Sequence, residues 1–188
     1  MSVKIRVKSK WNDKKRERSA EEIGSALGFN LWRIAGANLL HMENEGFQTD
    51  TYNQRLDVIA ELVAFFVHVV DRMTAERDYD EDKRRELVTA LALNLAKTMH
   101  DNRRDVNPDD QETDYKGEFI GLLNQRMAEY AGFSFDGDQP GFQLRRRVGE
   151  HVRDKMGEKD NKWVTDQVMD IEIPDALKTF RRVAKNLL

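Results

Sequence analysis

The sequence predicts an all-α fold: an antiparallel bundle of about six to seven helices behind a basic N-terminal arm. Three observations carry this. Apolar residues recur every three to four positions through most of the chain, the period of a helix with one buried face. Helix-starting residues, Ser19, Asp50 or Thr51, Asp80 and Asp114, stand just ahead of these runs. The clearest period-two segment, Val3, Ile5 and Val7 alternating with Lys4, Arg6 and Lys8, lies in the arm and has no obvious partner strand in the rest of the sequence.

The arm, residues 1–18, holds eight Lys or Arg against Asp13 and Glu17, a charge of +6 in a chain whose net charge is -3. The remainder therefore carries -9. A basic arm on an acidic body suits nucleic acid, an anionic surface, a partner subunit or the body itself. Residues 19–188 are expected to form a single all-helical domain, since no repeat, low-complexity run or convincing boundary divides them.

Ser19-Ala-Glu-Glu22 is a capping box, so the first helix starts there. Ile23, Leu27, Leu31, Ile34 and Leu39 mark its buried stripe, widened by Trp32, Leu40 and Met42. Gly24, Gly28 and Gly36 each cost a helix about 1 kcal/mol, which suggests close packing against another helix. Gly46 stops the helix, with Phe47 folding back. Asp50 or Thr51 caps the second helix, which runs to about Arg77. Asp80 caps the third, with Leu87, Leu91, Leu95 and Met99 inside and an end near Arg104. A polar loop around Pro108 leads to a fourth helix, about Asp114–Ala131, faced by Phe119, Leu122, Leu123, Met127 and Tyr130. Gly132–Phe142, GFSFDGDQPGF, is the strongest breaker, and its three phenylalanines imply a loop packed onto the body. A fifth helix buries Leu144, Val148, Val152 and Met156, and a short sixth holds Trp163, Val164 and Val168. Pro174 suits the first turn of the last helix, whose inward residues are Leu177, Phe180, Ala184 and Leu187.

Composition excludes several functions. The chain has 188 residues, enough for a proper core, and no cysteine, so disulfides, thiol catalysis and Cys-ligated zinc are out. No apolar run approaches the roughly 20 residues of a membrane span, and no apolar stretch follows the basic start as in a signal peptide. A soluble, cytoplasmic protein is expected. No phosphate loop, nucleophile elbow or zinc-protease motif occurs. Asp136-Gly-Asp138 lacks the other acids of a calcium loop and reads as a turn, and Arg145 to Arg147 spread too far around a helix to make one phosphate grip.

The candidate chemistry centres on the second helix. In ELVAFFVHVVDR, residues 61–72, Leu, Val or Phe fill seven of twelve places. Asp57, Glu61, Ala64, His68 and Asp71 are spaced four, three, four and three, one lengthwise seam. It is either a polar seam inside the bundle or the wet edge of a buried helix. Counting outward from the two turns sets His68 opposite Gly28 and Leu91, Glu61 opposite Thr98 and Asp57 opposite Asn102. His68 then reads as a core-edge histidine bonded to a neighbour such as Asn94. The same count gathers His41, Glu45, Asp57, Glu61, His100 and Asp101 at one end of the three-helix core. Of these, His41, Asp57, Glu61, His100 and Asp101 are the candidate ligands of a divalent metal, which would act as Lewis acid or water activator.

Three functions follow. The favoured one is a bacterial-type helical interaction or regulatory module acting as a homodimer, suggested by the Gly24–Gly28 seam and by a second helix too apolar for a short bundle to cover. The others are a metal-dependent enzyme or metal sensor and a nucleic-acid binder using the basic arm.

Overall fold

The computed structural model describes residues 18–77, 79–137 and 139–188. Residues 1–17 of the expected arm, which include its alternating segment, and Asp138 lie outside the described residues. The chain forms α1 (Ala20–Asn44), α2 (Tyr52–Glu76), α3 (Glu81–Val106), α4 (Tyr115–Tyr130), a two-residue ribbon β1 (Phe135–Asp136) and β2 (Gln139–Pro140), α5 (Phe142–Arg153), α6 (Val164–Gln167) and α7 (Ile173–Leu187). The all-α expectation holds, and among the described residues no helix is long and apolar enough to cross a membrane.

The caps work as the sequence predicts. Ser19 and Glu22 complete the capping box of α1. At its far end Gly46 adopts φ +96°. Its N–H donates to the Glu43 carbonyl, and the Phe47 N–H reaches the Met42 carbonyl, both at 3.1 Å. That pair of bonds satisfies carbonyls the helix leaves open, in a conformation glycine adopts without strain. Thr51, not Asp50, accepts the Gln54 N–H at the start of α2. Asp80 and Asp114 cap α3 and α4.

Helices α1, α2 and α3 run up, down and up. The α2–α3 register is antiparallel, read from the ion pairs Asp57–Arg103 and Asp71–Arg84. The outer helices α1 and α3 therefore lie parallel and side by side. Their contact explains two of the three glycines of α1. A methyl on Gly24 would meet the Leu91 backbone nitrogen at 2.8 Å, and one on Gly28 would run into Asn94 Oδ1, whereas Gly36 faces open space.

Every residue of α2 from Val58 to Val70 is buried. A helix apolar on all sides must be surrounded, and α2 packs on α1, α3, α4 and α5. Phe66 also meets Phe180 of α7, ring centroids 5.7 Å apart. The polar seam is thus no wet edge in its middle: Glu61 is 0 % exposed and His68 2 %.

The C-terminal third differs most from expectation. Helices α6 and α7 form one helical path, joined by a π-helical turn at Val168–Glu172. Pro174 supplies the reason. Its ring would collide with the Asp170 carbonyl in a regular α-turn and it has no N–H to donate, so the turn before it opens. The Gly132–Phe142 segment folds as the small ribbon, with Gly137 at φ +58° in its turn. Phe135 is buried and Phe133 packs beside the core, but Phe142 stands exposed. Leu40, expected inside, is also exposed, because neighbouring Leu39 takes the inward position, and Trp163 is exposed beside buried Val164.

Candidate functional site

Four of the five candidate metal ligands take hydrogen-bond or ion-pair partners, while His100 keeps its buried Nδ1 without one among the described residues. His41 Nδ1 lies 2.7 Å from Glu172 Oε1 in the π-turn, and its Nε2 is 3.9 Å from Glu45. Asp57 accepts from Arg103. Glu61 accepts two hydrogen bonds from Arg126. His100 sits edge-on to Tyr115, ring centroids 6.4 Å apart. Asp101 pairs with Lys97 at 2.7 Å on the outer face of α3. Among the described residues no three His, Asp or Glu side chains converge to hold a metal ion. Counting from the turns gave height along the bundle but not the face each side chain takes. Glu61 faces α4, Asp101 faces solvent, and His41 turns toward a helix far along the chain.

His41 and Glu172 form a local latch. Glu172, 2 % exposed, also accepts from Gln167 at 2.9 Å, and its backbone carbonyl accepts from Asn38 at 3.1 Å. The hydrogen bond to Glu172 raises the basicity of His41 above the ordinary imidazole. The π-turn thereby joins the end of α1.

A second polar assembly links α2, α4 and α5. Arg126 donates through Nε to Glu61 Oε2 at 2.7 Å and through its NH2 group to Oε1 at 2.8 Å, a fork-on-fork pair at the centre of the molecule. The hydrogen bond to Glu61 strengthens the guanidinium's hold on its proton, against the effect of burial. Glu129, one turn along α4, holds Arg147 and His151 of α5, the latter at 2.8 Å. Burial works against the Glu129 carboxylate, but the bonds from Arg147 and His151 outweigh it and keep it below the ordinary glutamate range. Each of these charged groups already has a counter-charge, so the assembly fastens three helices.

His68 and Tyr130 adjoin it. Their rings meet edge-on, centroids 5.8 Å apart, and Phe135 flanks His68 on another side at 6.1 Å. Neither nitrogen of His68 nor the Tyr130 hydroxyl has a hydrogen-bond partner among the described residues. Burial pushes the His68 imidazole down to about 4 and the Tyr130 phenol far above its usual range. Asn94, the partner expected for His68, faces Gly28 and Ser25 instead.

A groove of about 930 Å³ opens between the start of α1 and the end of α7. Ala26, Phe29, Val183 and Leu187 give it an apolar lining, with Glu21 on the α1 side and Arg182 on the α7 side. Phe29 is 63 % exposed there, and Arg33 lies over its ring at 5.7 Å. Sequence periodicity gives no notice of this groove. Phe29 falls off the buried stripe of α1, and an isolated exposed apolar residue has no meaning until a neighbouring helix makes a wall.

Comparison with known proteins leaves the site to its own chemistry: no family model, curated protein or solved structure matches this chain.

Proposed function

We propose that the protein works by binding another polypeptide, and that the groove between α1 and α7 is the binding surface. The exposure of Phe29 in a groove with an apolar lining carries the reading. Large aromatic side chains stay in water at a cost, and a groove that offers one beside Ala26, Val183 and Leu187 suits an apolar side chain of a partner. The buried charged groups of the core support a binding role too, since they are spent on one another.

The two features that suggested a homodimer have intramolecular explanations. The Gly24–Gly28 seam admits α3 of the same chain, and α2 is covered by its own neighbours. A second copy is therefore one polypeptide partner among others, to be sought at the groove.

Selection of a displayed random peptide library on the immobilised full chain tests the reading, run in parallel on a variant with residues 1–17 made neutral. Peptides retained by either protein and lost on Phe29→Glu support it. The absence of any Phe29-dependent peptide on both proteins contradicts it. Phe29 is exposed, so the substitution leaves the core intact.

A further inference from the structure

Resting on that reading of the groove, we propose that the partner it takes is an amphipathic helix whose apolar stripe is flanked by Asp and Glu side chains.

The helical form follows from the walls. Helices α1 and α7 run antiparallel: Arg18, just before α1, donates to the Asn186 carbonyl near the end of α7, and Asn38, near the end of α1, donates to the Glu172 carbonyl just before α7. Both walls are helices whose backbone N–H and C=O groups bond within themselves. They offer no strand edge for an extended peptide to join. A helix satisfies its own backbone and lays a row of side chains into the furrow between two others. On α1 the lining runs from Glu21 to Asn30, about 14 Å at the helical rise, so about three turns of a partner helix cover it.

The acidic flank follows from cations that stand without a counter-charge. Arg182 lines the α7 wall, and Lys178 stands one turn before it on the same side. Arg33 stands one turn beyond Phe29 on α1, its guanidinium over that ring. Because the helices are antiparallel, Arg33 and Lys178 extend the groove at the same end. All three cations are exposed, and none has an ion-pair or hydrogen-bond partner among the described residues. Asp175, the one acid of α7, lies where His41 feels its charge. The acids of the lining, Glu21 and Glu22, sit at the opposite end in the first turn of α1, where the helix N-terminus favours their charge and Glu22 completes the capping box. A partner that sets an apolar side chain on Phe29 therefore meets uncompensated positive charge on both sides of it. Carboxylates beside the stripe answer that charge, speed the encounter and reject basic helices of the same shape.

The peptide library, selected on the variant with residues 1–17 made neutral, tests this free of attraction by the arm. Peptides lost on Phe29→Glu are sequenced, synthesised with a fluorescent label and titrated by anisotropy. They should carry apolar residues three and four apart, no internal proline and more Asp and Glu than Lys and Arg, and should gain helical circular dichroism on binding. Their affinity should fall at least about tenfold when Arg33→Glu and Arg182→Glu are combined, because like charges then face each other. The pair Lys97→Glu with Lys116→Glu, exposed on α3 and α4, changes the net charge equally and should alter affinity by less than about twofold, since distant surface charges are screened. Phe29-dependent peptides that are basic or proline-broken, that bind without gaining helix, or that bind the Arg33→Glu, Arg182→Glu variant undiminished overturn the proposal and leave the groove reading standing. An equal loss in both charge-reversed pairs also overturns it, because overall charge would then be the attraction. If no Phe29-dependent peptide appears, the groove reading fails and this inference with it.

Discussion

Arg126→Met removes one half of the ion pair at the centre of the molecule and leaves the Glu61 carboxylate where water cannot reach it. Glu61 is 0 % exposed and the Arg126 side chain 10 %, so little solvent is available to compensate. Breaking such a pair on one side costs about 3–5 kcal/mol. A domain of this kind is stable by only about 5–15 kcal/mol, so the variant should lose a large part of its stability. The double variant Glu61→Leu with Arg126→Met removes the stranded charge and replaces both groups with apolar ones. It should recover most of the loss, since well-packed apolar replacements of buried pairs are often neutral or better. Glu129 keeps Arg147 and His151 in both variants, which limits the side effects. Urea denaturation followed by circular dichroism reads the comparison as a shift of midpoint at constant slope. A loss under about 1 kcal/mol for Arg126→Met alone would refute the reasoning, because the carboxylate would then have found water or another donor.

Three further outcomes are expected. Gly24→Ala should destabilise the protein by up to about 2 kcal/mol, the cost of overpacking against the α3 backbone exceeding the gain in helix propensity, whereas Gly36→Ala should stabilise it by up to about 1 kcal/mol; thermal melts of the two variants decide this. Burial holds the folded His68 near 4 while the unfolded imidazole titrates near ~6.5, so the unfolded chain binds the proton more readily and stability should fall as pH drops through that window. His68→Phe should flatten this stretch of the stability–pH curve. His41 has the opposite sign: its folded basicity is raised by Glu172, so its contribution is present below the ordinary histidine range and is lost as pH rises through the raised value, and His41→Ala should remove that alkaline loss.

The helices were legible because their signals are local. Ser19, Asp80 and Asp114 cap where the sequence places them, Thr51 is the one of two candidates that caps α2, and Gly46 ends α1 as its position implies. Register was legible too: counting from the turn set Asp57 opposite Asn102, and the structure pairs it with Arg103. The orientation of each helix about its axis was not. Glu61 faces Arg126 only because α4 crosses α2 there, and nothing within α2 announces α4. The His41–Glu172 contact spans 131 residues and depends on a π-turn made by Pro174. The groove at Phe29 exists because α7 returns to the start of α1, a tertiary event with no local trace. A fully apolar α2 likewise reads alike whether its cover comes from the same chain or from another, and here α1, α3, α4 and α5 cover it.

The most direct measurement of the central claim is calorimetric titration of a library-selected peptide into the wild-type chain and into Phe29→Glu at several temperatures. The groove account predicts a negative heat-capacity change, the mark of apolar burial, and binding at least about tenfold weaker to the variant, since burying a Phe-sized side chain is worth about 1.5–3 kcal/mol. Equal affinity for the two proteins would contradict it and place the binding surface elsewhere on the molecule.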